Sequence, residues 1–154
     1  QSAVVAKVGI PYTINTLIGM PYETRELFFD TVRFIRQIKT WDALSVNVFV
    51  PYHRTVLREM AIKEGWLDPN AQTTSVIAES ILRMPRPHLQ PDEILVLQHV
   101  IPLYSRLDES RWPEIEEVER TWKTPEGQEK FKKLSDEWYN MTYGEQDRML
   151  TYAG

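Results

Sequence analysis

Cysteine is absent from the sequence. Without a thiol the chain can form no disulfide, offer no thiolate nucleophile, and hold neither zinc nor an iron–sulfur cluster through sulfur ligands. Histidine is scarce as well, and His53, His88 and His99 are too far apart along the chain for a local metal motif. The sequence therefore predicts no metal site, and any iron–sulfur chemistry connected with this chain needs cysteines from another stretch of polypeptide.

Long hydrophobic runs and an excess of basic charge are also missing. No apolar stretch approaches the roughly 20 residues that a membrane-spanning helix requires, and residues 1–9 lack the pattern of a signal peptide. The formal net charge is −4, and the lysines and arginines are scattered rather than clustered. We therefore expect a cytoplasmic protein with no membrane partner and no direct contact with nucleic acid.

Residues 1–68 contain the most regular pattern and predict two β/α units. A β-branched, apolar run from Pro11 to Ile18 predicts a strand, and apolar residues at helical spacing predict a helix from Thr24 to Lys39. A second strand is expected from Ala43 to Val50. A second helix is marked by Val56, Leu57, Met60 and Ala61, with Lys63 in its last turn and Gly65 at the position of a left-handed C-cap. Because about a dozen or more residues separate the two strands, we expect them to pair in parallel.

Residues 69–154 predict a helical extension without further strands. Pro91 opens a helix that Pro102 is expected to kink or end. A shorter helix is expected over Pro113–Arg120, and Thr124 precedes a last helix that we expect to end near Gly144. A two-stranded parallel sheet cannot cover both of its faces and both of its edges, so the first half is expected to belong to a larger α/β structure.

Candidate ligand contacts lie at the carboxyl ends of the two predicted strands, where parallel β/α folds bind ligands. Asn15 and Asn47 stand out because Asn is depleted from strand interiors, and either a ligand or a hydrogen bond to a neighbouring strand or water would satisfy them. Gly19 and the free amides beside it favour a bound anion or carboxylate, although Gly19 could equally serve only to shape the turn. His53 follows the second strand and is a candidate substrate contact.

Two blocks of the sequence resemble those of radical S-adenosylmethionine enzymes, most closely the members that carry a cobalamin-binding domain. Residues 15–27 read NTLIGMPYETREL and residues 44–57 read LSVNVFVPYHRTVL. In the family these blocks typically read Ile-Gly-x-Pro-Gly-Glu-Thr and Ser-x-x-x-Phe-x-Pro-Tyr-Pro-Gly-Thr-x-Leu. The resemblance extends over residues 1–107 and does not reach the last helices.

The resemblance implies that the two strands are the fifth and sixth of a partial (β/α)6 TIM-like barrel, followed by a helical extension. In such enzymes a cysteine triplet after the first strand holds a 4Fe-4S cluster, which reductively cleaves S-adenosylmethionine to a 5′-deoxyadenosyl radical. By this resemblance Asn15, Leu17 and Gly19 support the adenosyl or methionine part of the cofactor. Backbone around Phe49 and Pro51 would contact the adenine.

Asn47, on the second strand, completes the expected cofactor site. The chain departs from the family pattern where Tyr22 replaces a glycine and where His53 and Arg54 replace Pro-Gly. Glu23 and Thr24 match the pattern and are expected to shape the loop and the start of the helix.

The cysteine triplet and the first four strands are not in this chain, so we expect it to be inactive alone and to need the missing N-terminal half of the barrel.

The expected parent enzyme is a methyltransferase or a carbon-skeleton-modifying enzyme that acts on a small molecule or a peptide. Cobalamin, if it is used, would bind a separate domain. Two alternatives remain open. The chain could be a non-catalytic helical interaction module built on a truncated β/α half, or a small-molecule binding module that retains the pocket around Asn15 and Asn47 without radical chemistry.

Overall fold

The computed structural model describes residues 12–38 and 41–151, with side chains described as far as residue 143. Pro11 and Lys39, the expected ends of the first strand and first helix, lie outside the described residues. The elements follow in chain order as strand β1 (Thr13–Ile18), helix α1 (Arg25–Gln37), strand β2 (Ala43–Val48), and helices α2 (Val56–Lys63), α3 (Pro91–Arg106), α4 (Trp112–Thr121) and α5 (Pro125–Thr151), with a short 3-10 turn (Glu109–Arg111) before α4.

Strands β1 and β2 pair in parallel, as predicted. Thr13 lies opposite Ala43, and the register continues to Ile18 opposite Val48. Helix α1 connects the two strands, which confirms a mixed α/β fold with a parallel sheet.

The helices begin and end at residues whose chemistry suits those positions. The Oγ1 atoms of Thr24 and Thr55 each accept a hydrogen bond at 3.4 Å from the backbone N–H three residues later, so both threonines cap their helices. Glu93 accepts a hydrogen bond from the N–H of Gln90 at 2.8 Å, which fixes the start of α3. Gly65 has a φ of +73° just after α2, which confirms the expected left-handed C-cap.

The structure decides where the helices around Pro102 and Gly144 end. Of the two outcomes expected at Pro102, a kink or an end, the end does not occur: helix α3 continues to Arg106, because a proline removes only one hydrogen bond and the buried face of α3 holds the helix together on both sides of it. The expected end of the last helix near Gly144 is wrong, since α5 continues to Thr151, and a glycine inside a helix costs only about 1 kcal/mol.

The main core lies on one face of the sheet. The even-numbered strand residues, including the fully buried Ile18 and the buried Val48, point into it, while Thr13, Asn15 and Leu17 of β1 are exposed on the other face. Helices α1, α3, α4 and α5 contribute the rest of the core, which includes Phe28, Val32, Ile35, Ile94, Leu97, Ile101, Tyr104, Ile115, Val118 and Leu134. The helical extension thus covers the same sheet face as α1.

A second, smaller core lies beyond the end of β2. It consists of Ala61, Trp66, Leu67, Leu82 and Met84, with the ring of Phe49 packed against it. No helix within residues 12–38 and 41–151 combines the length and the apolar character needed to cross a membrane.

Candidate functional site

Three of the predicted site residues lie together on the open face of the sheet. Asn15 is opposite Ser45 and Leu17 is opposite Asn47, so their side chains project from neighbouring strands on the same side. The Asn47 amide donates a hydrogen bond to Ser45 Oγ at 3.3 Å. Leu17 is 49% exposed. The result is a shallow surface of amide and hydroxyl groups beside one apolar side chain, and Ser45 is a member that the sequence analysis did not identify.

The loop after β1 binds a carboxylate, but this carboxylate belongs to the chain itself. Glu23 Oε2 accepts hydrogen bonds from the backbone N–H of Gly19 at 2.5 Å and of Met20 at 3.2 Å. The expectation that these amides are free for a ligand anion is therefore wrong. Gly19 is buried with a φ of +81°, so its part in shaping the turn is the interpretation that the structure supports.

Glu23 is a buried acid whose protonation affects stability. Only 8% of the residue is exposed, and this burial raises the pKa of the carboxyl above its ordinary value of 4.5, although the hydrogen bonds from Gly19 and Met20 act in the opposite direction. The folded chain therefore binds this proton more tightly than the unfolded chain does. The contribution of the protonated Glu23 carboxyl to the free energy of unfolding is fully present below pH 4.5. It is lost as the pH rises through the raised pKa of the folded state.

We expect Glu23→Ala to lower the free energy of unfolding by about 1–3 kcal/mol, because two loop amides lose their acceptor. Glu23→Gln retains an acceptor oxygen and cannot ionise, so it should remove the fall in stability above pH 4.5 while leaving the low-pH stability within about 1 kcal/mol. Urea unfolding of both variants between pH 4 and pH 8 checks this. Equal pH dependence in the wild type and in Glu23→Gln would rule the carboxyl out as its source.

The remaining predicted site residues lie at the end of β2 and not on the open face. The Phe49 N–H donates to the Ile18 carbonyl at 2.8 Å, as part of the sheet ladder. Pro51 is buried, and its carbonyl accepts a hydrogen bond from Arg58 Nη1 at 3.0 Å. His53 is exposed in the loop that follows. These residues therefore surround the carboxyl end of β2, where a ligand on the open face would meet the loop.

Arg58 holds this loop in place, and the sequence analysis did not identify it. The residue is only 3% exposed and donates to the carbonyls of Pro51, of Pro69 at 3.3 Å and of Ala71 at 2.7 Å. Among the described residues its guanidinium forms no ion pair with a carboxylate. Its charge is stabilised by carbonyl dipoles, which tie the end of β2 to the segment after α2.

The backbone turns left-handed at one non-glycine residue in each of the two strand-end loops. Tyr22 has a φ of +66° and Arg54 a φ of +65°, and these are the only non-glycine residues with positive φ in the described part of the chain. Both stand where the family blocks carry glycine. The Tyr22 ring packs edge-to-face on Trp66, with 4.8 Å between ring centroids, which helps to offset the unfavourable backbone conformation.

We expect Arg54→Gly to raise the free energy of unfolding by about 0.5–1 kcal/mol, because glycine relieves a left-handed conformation that costs an ordinary residue about 1–2 kcal/mol. The neighbouring His53→Gly is the matched control, since His53 is exposed and has no positive φ. It should destabilise the chain by about 0.5–1 kcal/mol through the entropy of the unfolded state. Urea denaturation distinguishes the two variants. Equal decreases in the free energy of unfolding for both would contradict a left-handed backbone conformation at Arg54.

A scan against protein-family models, a search of curated proteins and a search of solved structures each found no match.

Proposed function

We propose that this chain is the C-terminal part of a radical S-adenosylmethionine enzyme, with β1 and β2 as the fifth and sixth strands of a partial (β/α)6 barrel. The observation that carries the proposal is the left-handed backbone at Tyr22 and Arg54. These two positions carry glycine in the family blocks, and glycine is the residue that adopts this conformation at little cost. The backbone conformation at Tyr22 and Arg54 is thus one that a glycine at each position would favour, which supports the resemblance.

The arrangement of the sheet supports the same proposal. Parallel sheets occur almost only where both faces are covered, whereas on this face the two β1 residues, Asn15 and Leu17, are exposed and Asn47 is only half-buried. In a barrel this face would point inward, and helix α1 on the opposite face would lie outside. An inward face with two amides and one leucine suits a nucleoside, which needs both polar and apolar contacts.

The residues of this chain would bind and orient the cofactor. Asn15 and Asn47 have amides able to donate to or accept from ribose hydroxyls and the methionine carboxylate, and Leu17 provides an apolar contact between them. The backbone at Phe49 and Pro51 lies at the carboxyl end of β2, where the adenine would bind. Gly19, which has no side chain, would let the loop after β1 pass close to the cofactor. S-adenosylmethionine would supply a 5′-deoxyadenosyl radical, with methionine as the leaving group, on one-electron reduction by a 4Fe-4S cluster whose ligands are outside this cysteine-free chain.

The wider assignment follows from the same resemblance. The parent enzyme would be a cytoplasmic methyltransferase or carbon-skeleton-modifying enzyme that acts on a small molecule or a peptide, and His53 would reach the substrate. A separate domain would bind cobalamin in members that use it. The reading frame upstream of Gln1 tests the assignment: it should encode Cys-x-x-x-Cys-x-x-Cys followed by four β/α units, and a stop codon with an independent start there would contradict it.

In the intact parent we expect Asn47→Ala to weaken S-adenosylmethionine binding about 5- to 20-fold, which corresponds to the loss of one or two hydrogen bonds. Asn15→Ala should have a similar effect. Thr13→Ala is the matched control, because Thr13 lies on the same face at the amino end of β1, and its affinity should stay within about twofold. Calorimetry with S-adenosylmethionine measures all three, and unchanged affinity in both asparagine variants would reject this face as the cofactor site.

A second candidate function draws on one specific observation. The outer edge of β1 has no partner strand among the described residues, which also suits a non-catalytic module that docks on another chain through its sheet. A module that only binds small molecules would instead retain the affinity for S-adenosylmethionine without iron. Anaerobic reconstitution of the intact parent with iron and sulfide distinguishes both of these from an enzyme.

A further inference from the structure

A small cavity lies at the amino end of the sheet, where helices α1 and α3 end. It has a volume of about 240 Å³ and is lined by Arg36, Ile38, Trp41, Ser105 and Arg106. Arg36 and Arg106 are in the last turns of α1 and α3, and Trp41 lies just before β2. The cavity is therefore at the end of β2 opposite to the candidate cofactor site.

The guanidinium of Arg106 is held in place without a carboxylate partner. Its Cζ lies 3.9 Å from the centre of the buried Trp41 ring, and its Nη2 donates to the Trp41 carbonyl at 2.9 Å. Its Nε is buried and has no hydrogen-bond partner. Within the described residues no carboxylate forms an ion pair with this group, although buried charges are usually paired.

The surroundings of Arg106 disfavour its positive charge. Burial lowers the pKa of Arg106 below its ordinary value, and the smaller effects of Tyr143 and Asp42 act in the opposite direction. The Asp42 carboxylate is exposed and accepts a hydrogen bond from the Tyr12 N–H at 2.9 Å. An anion placed beside Arg106 would stabilise the charged guanidinium.

Arg36 contributes a second guanidinium to the cavity. Its Nη1 donates to the carbonyls of Tyr104 at 2.8 Å and Leu107 at 2.7 Å. These contacts satisfy carbonyls at the end of α3, whose partial negative charge would otherwise repel an anion. The Arg36 Nε lies 3.5 Å from Oε1 of Glu109, but the Glu109 side chain is 65% exposed, so solvent screens this pair.

We propose that this cavity binds a phosphate dianion between Arg36 and Arg106. Guanidinium groups match phosphate oxygens in both geometry and charge. In the part of the chain that the structure describes, no acidic side chain lines the cavity, and the Ser105 hydroxyl donates to the Pro102 carbonyl at 2.6 Å. The two arginines are therefore the donors to the anion.

The size of the cavity limits what can enter it. Its volume is below the roughly 300–1,000 Å³ of sites that bind drug-sized molecules, so it fits a free phosphate ion or the phosphate group of a larger molecule. The proposal does not depend on the proposed function, because the cavity and the candidate cofactor site lie at opposite ends of β2.

The competing explanation is that both arginines only complete the ends of the helices. Basic residues in a last helical turn commonly bind the free carbonyls there, and Arg36 does so for α3. Arg106 does not fit this explanation. It donates to the Trp41 carbonyl, which belongs to the segment before β2 and not to a helix.

The test is calorimetry of phosphate binding to the polypeptide encoded by the complete reading frame, with ionic strength held constant by chloride. At about pH 7.5, where phosphate is mostly a dianion, we expect a dissociation constant of about 1 mM or lower. Acetate, a monoanion, should bind at least about 10-fold more weakly. Arg106→Gln should weaken phosphate binding at least about 10-fold, because it removes a charged donor.

Arg33→Gln is the matched control. It removes the same charge from the exposed side of α1, where Arg33 pairs with Asp30, so phosphate affinity should stay within about twofold. Circular dichroism establishes whether Arg106→Gln is folded. If it is not, Arg106→Lys replaces it, and the loss of the planar fork should weaken phosphate binding at least about threefold.

Methyl phosphate distinguishes the two sources of the anion. An affinity equal to that of phosphate would assign the cavity to the phosphate group of a larger molecule, and a loss of more than about 10-fold would assign it to the free ion.

Three results would overturn the proposal. Absence of phosphate binding at about 10 mM would show that the arginines only complete the helix ends. Equal phosphate affinity in the Arg106 variants and in Arg33→Gln would place the binding elsewhere. Equal affinity for acetate and phosphate would contradict a site for a dianion.

Discussion

Replacing Arg58 with alanine is expected to lower the free energy of unfolding by about 2–4 kcal/mol. The guanidinium is 3% exposed, and its removal leaves the carbonyls of Pro51, Pro69 and Ala71 without their donor. The cost is largest at the buried Pro51 carbonyl, which water cannot easily reach, and smaller at the part-buried hydrogen bonds to Pro69 and Ala71. Arg58→Lys keeps the charge, but a lysine cannot reach three carbonyls at once. The decrease in the free energy of unfolding should therefore lie between those of the wild type and Arg58→Ala.

Arg83 supplies the matched control for this experiment. It also donates to a backbone carbonyl, that of Ser80 at 2.7 Å, but its side chain is 61% exposed. Arg83→Ala should therefore change stability by less than about 0.5 kcal/mol. Chemical denaturation measures both variants, and a loss below about 1 kcal/mol for Arg58→Ala would show that the loop does not depend on its buried guanidinium.

Replacing Ile94 with alanine is expected to cost about 2–5 kcal/mol, because its side chain is fully buried between α3 and the loop after β1. The Ile94 side chain also limits which residues can replace Gly19. A β-carbon added at Gly19 would lie 3.0 Å from Ile94 Cδ1, and the φ of +81° is unfavourable for any other residue. Gly19→Ala should therefore cost about 2–3 kcal/mol from strain and crowding together.

A double-mutant cycle separates these two causes. Ile94→Val removes Cδ1 and should cost about 0.5–1.5 kcal/mol alone. In that background Gly19→Ala should cost at least about 0.5 kcal/mol less, while the part due to the left-handed backbone remains. Urea denaturation of the four proteins gives the coupling energy. Strict additivity would mean that Ile94 does not restrict the backbone at Gly19.

The local sequence pattern was sufficient for the parallel pair and for part of the candidate site. Strand alternation has a period of two, so the placement of Asn15, Leu17 and Asn47 on one face follows once the strands and their register are known. Thr24 was identified as a cap because its side chain acts only on neighbouring residues. Such short-range relations can be read from the chain itself.

The features that the sequence analysis missed depend on long-range contacts. Gln98 closes the β2 edge through Val46, which lies 52 residues earlier in the chain, and Arg58 collects carbonyls from separate loops. No spacing rule distinguishes these side chains from solvent-exposed ones. Glu23 was recognised as part of the loop, but the occupation of the Gly19 and Met20 amides depends on the folded turn. Helix α3 continued through Pro102 because tertiary packing outweighs the loss of one hydrogen bond.

The most direct test of the account is whether the polypeptide from the complete reading frame produces 5′-deoxyadenosine. The protein would be reconstituted anaerobically with iron and sulfide and supplied with S-adenosylmethionine and a reductant, and the nucleoside would be quantified by chromatography and mass spectrometry. We expect 5′-deoxyadenosine from the wild type, a marked decrease in its amount for Asn47→Ala, and an unchanged amount for Thr13→Ala. A reconstituted protein that binds no cluster and leaves S-adenosylmethionine intact would contradict it.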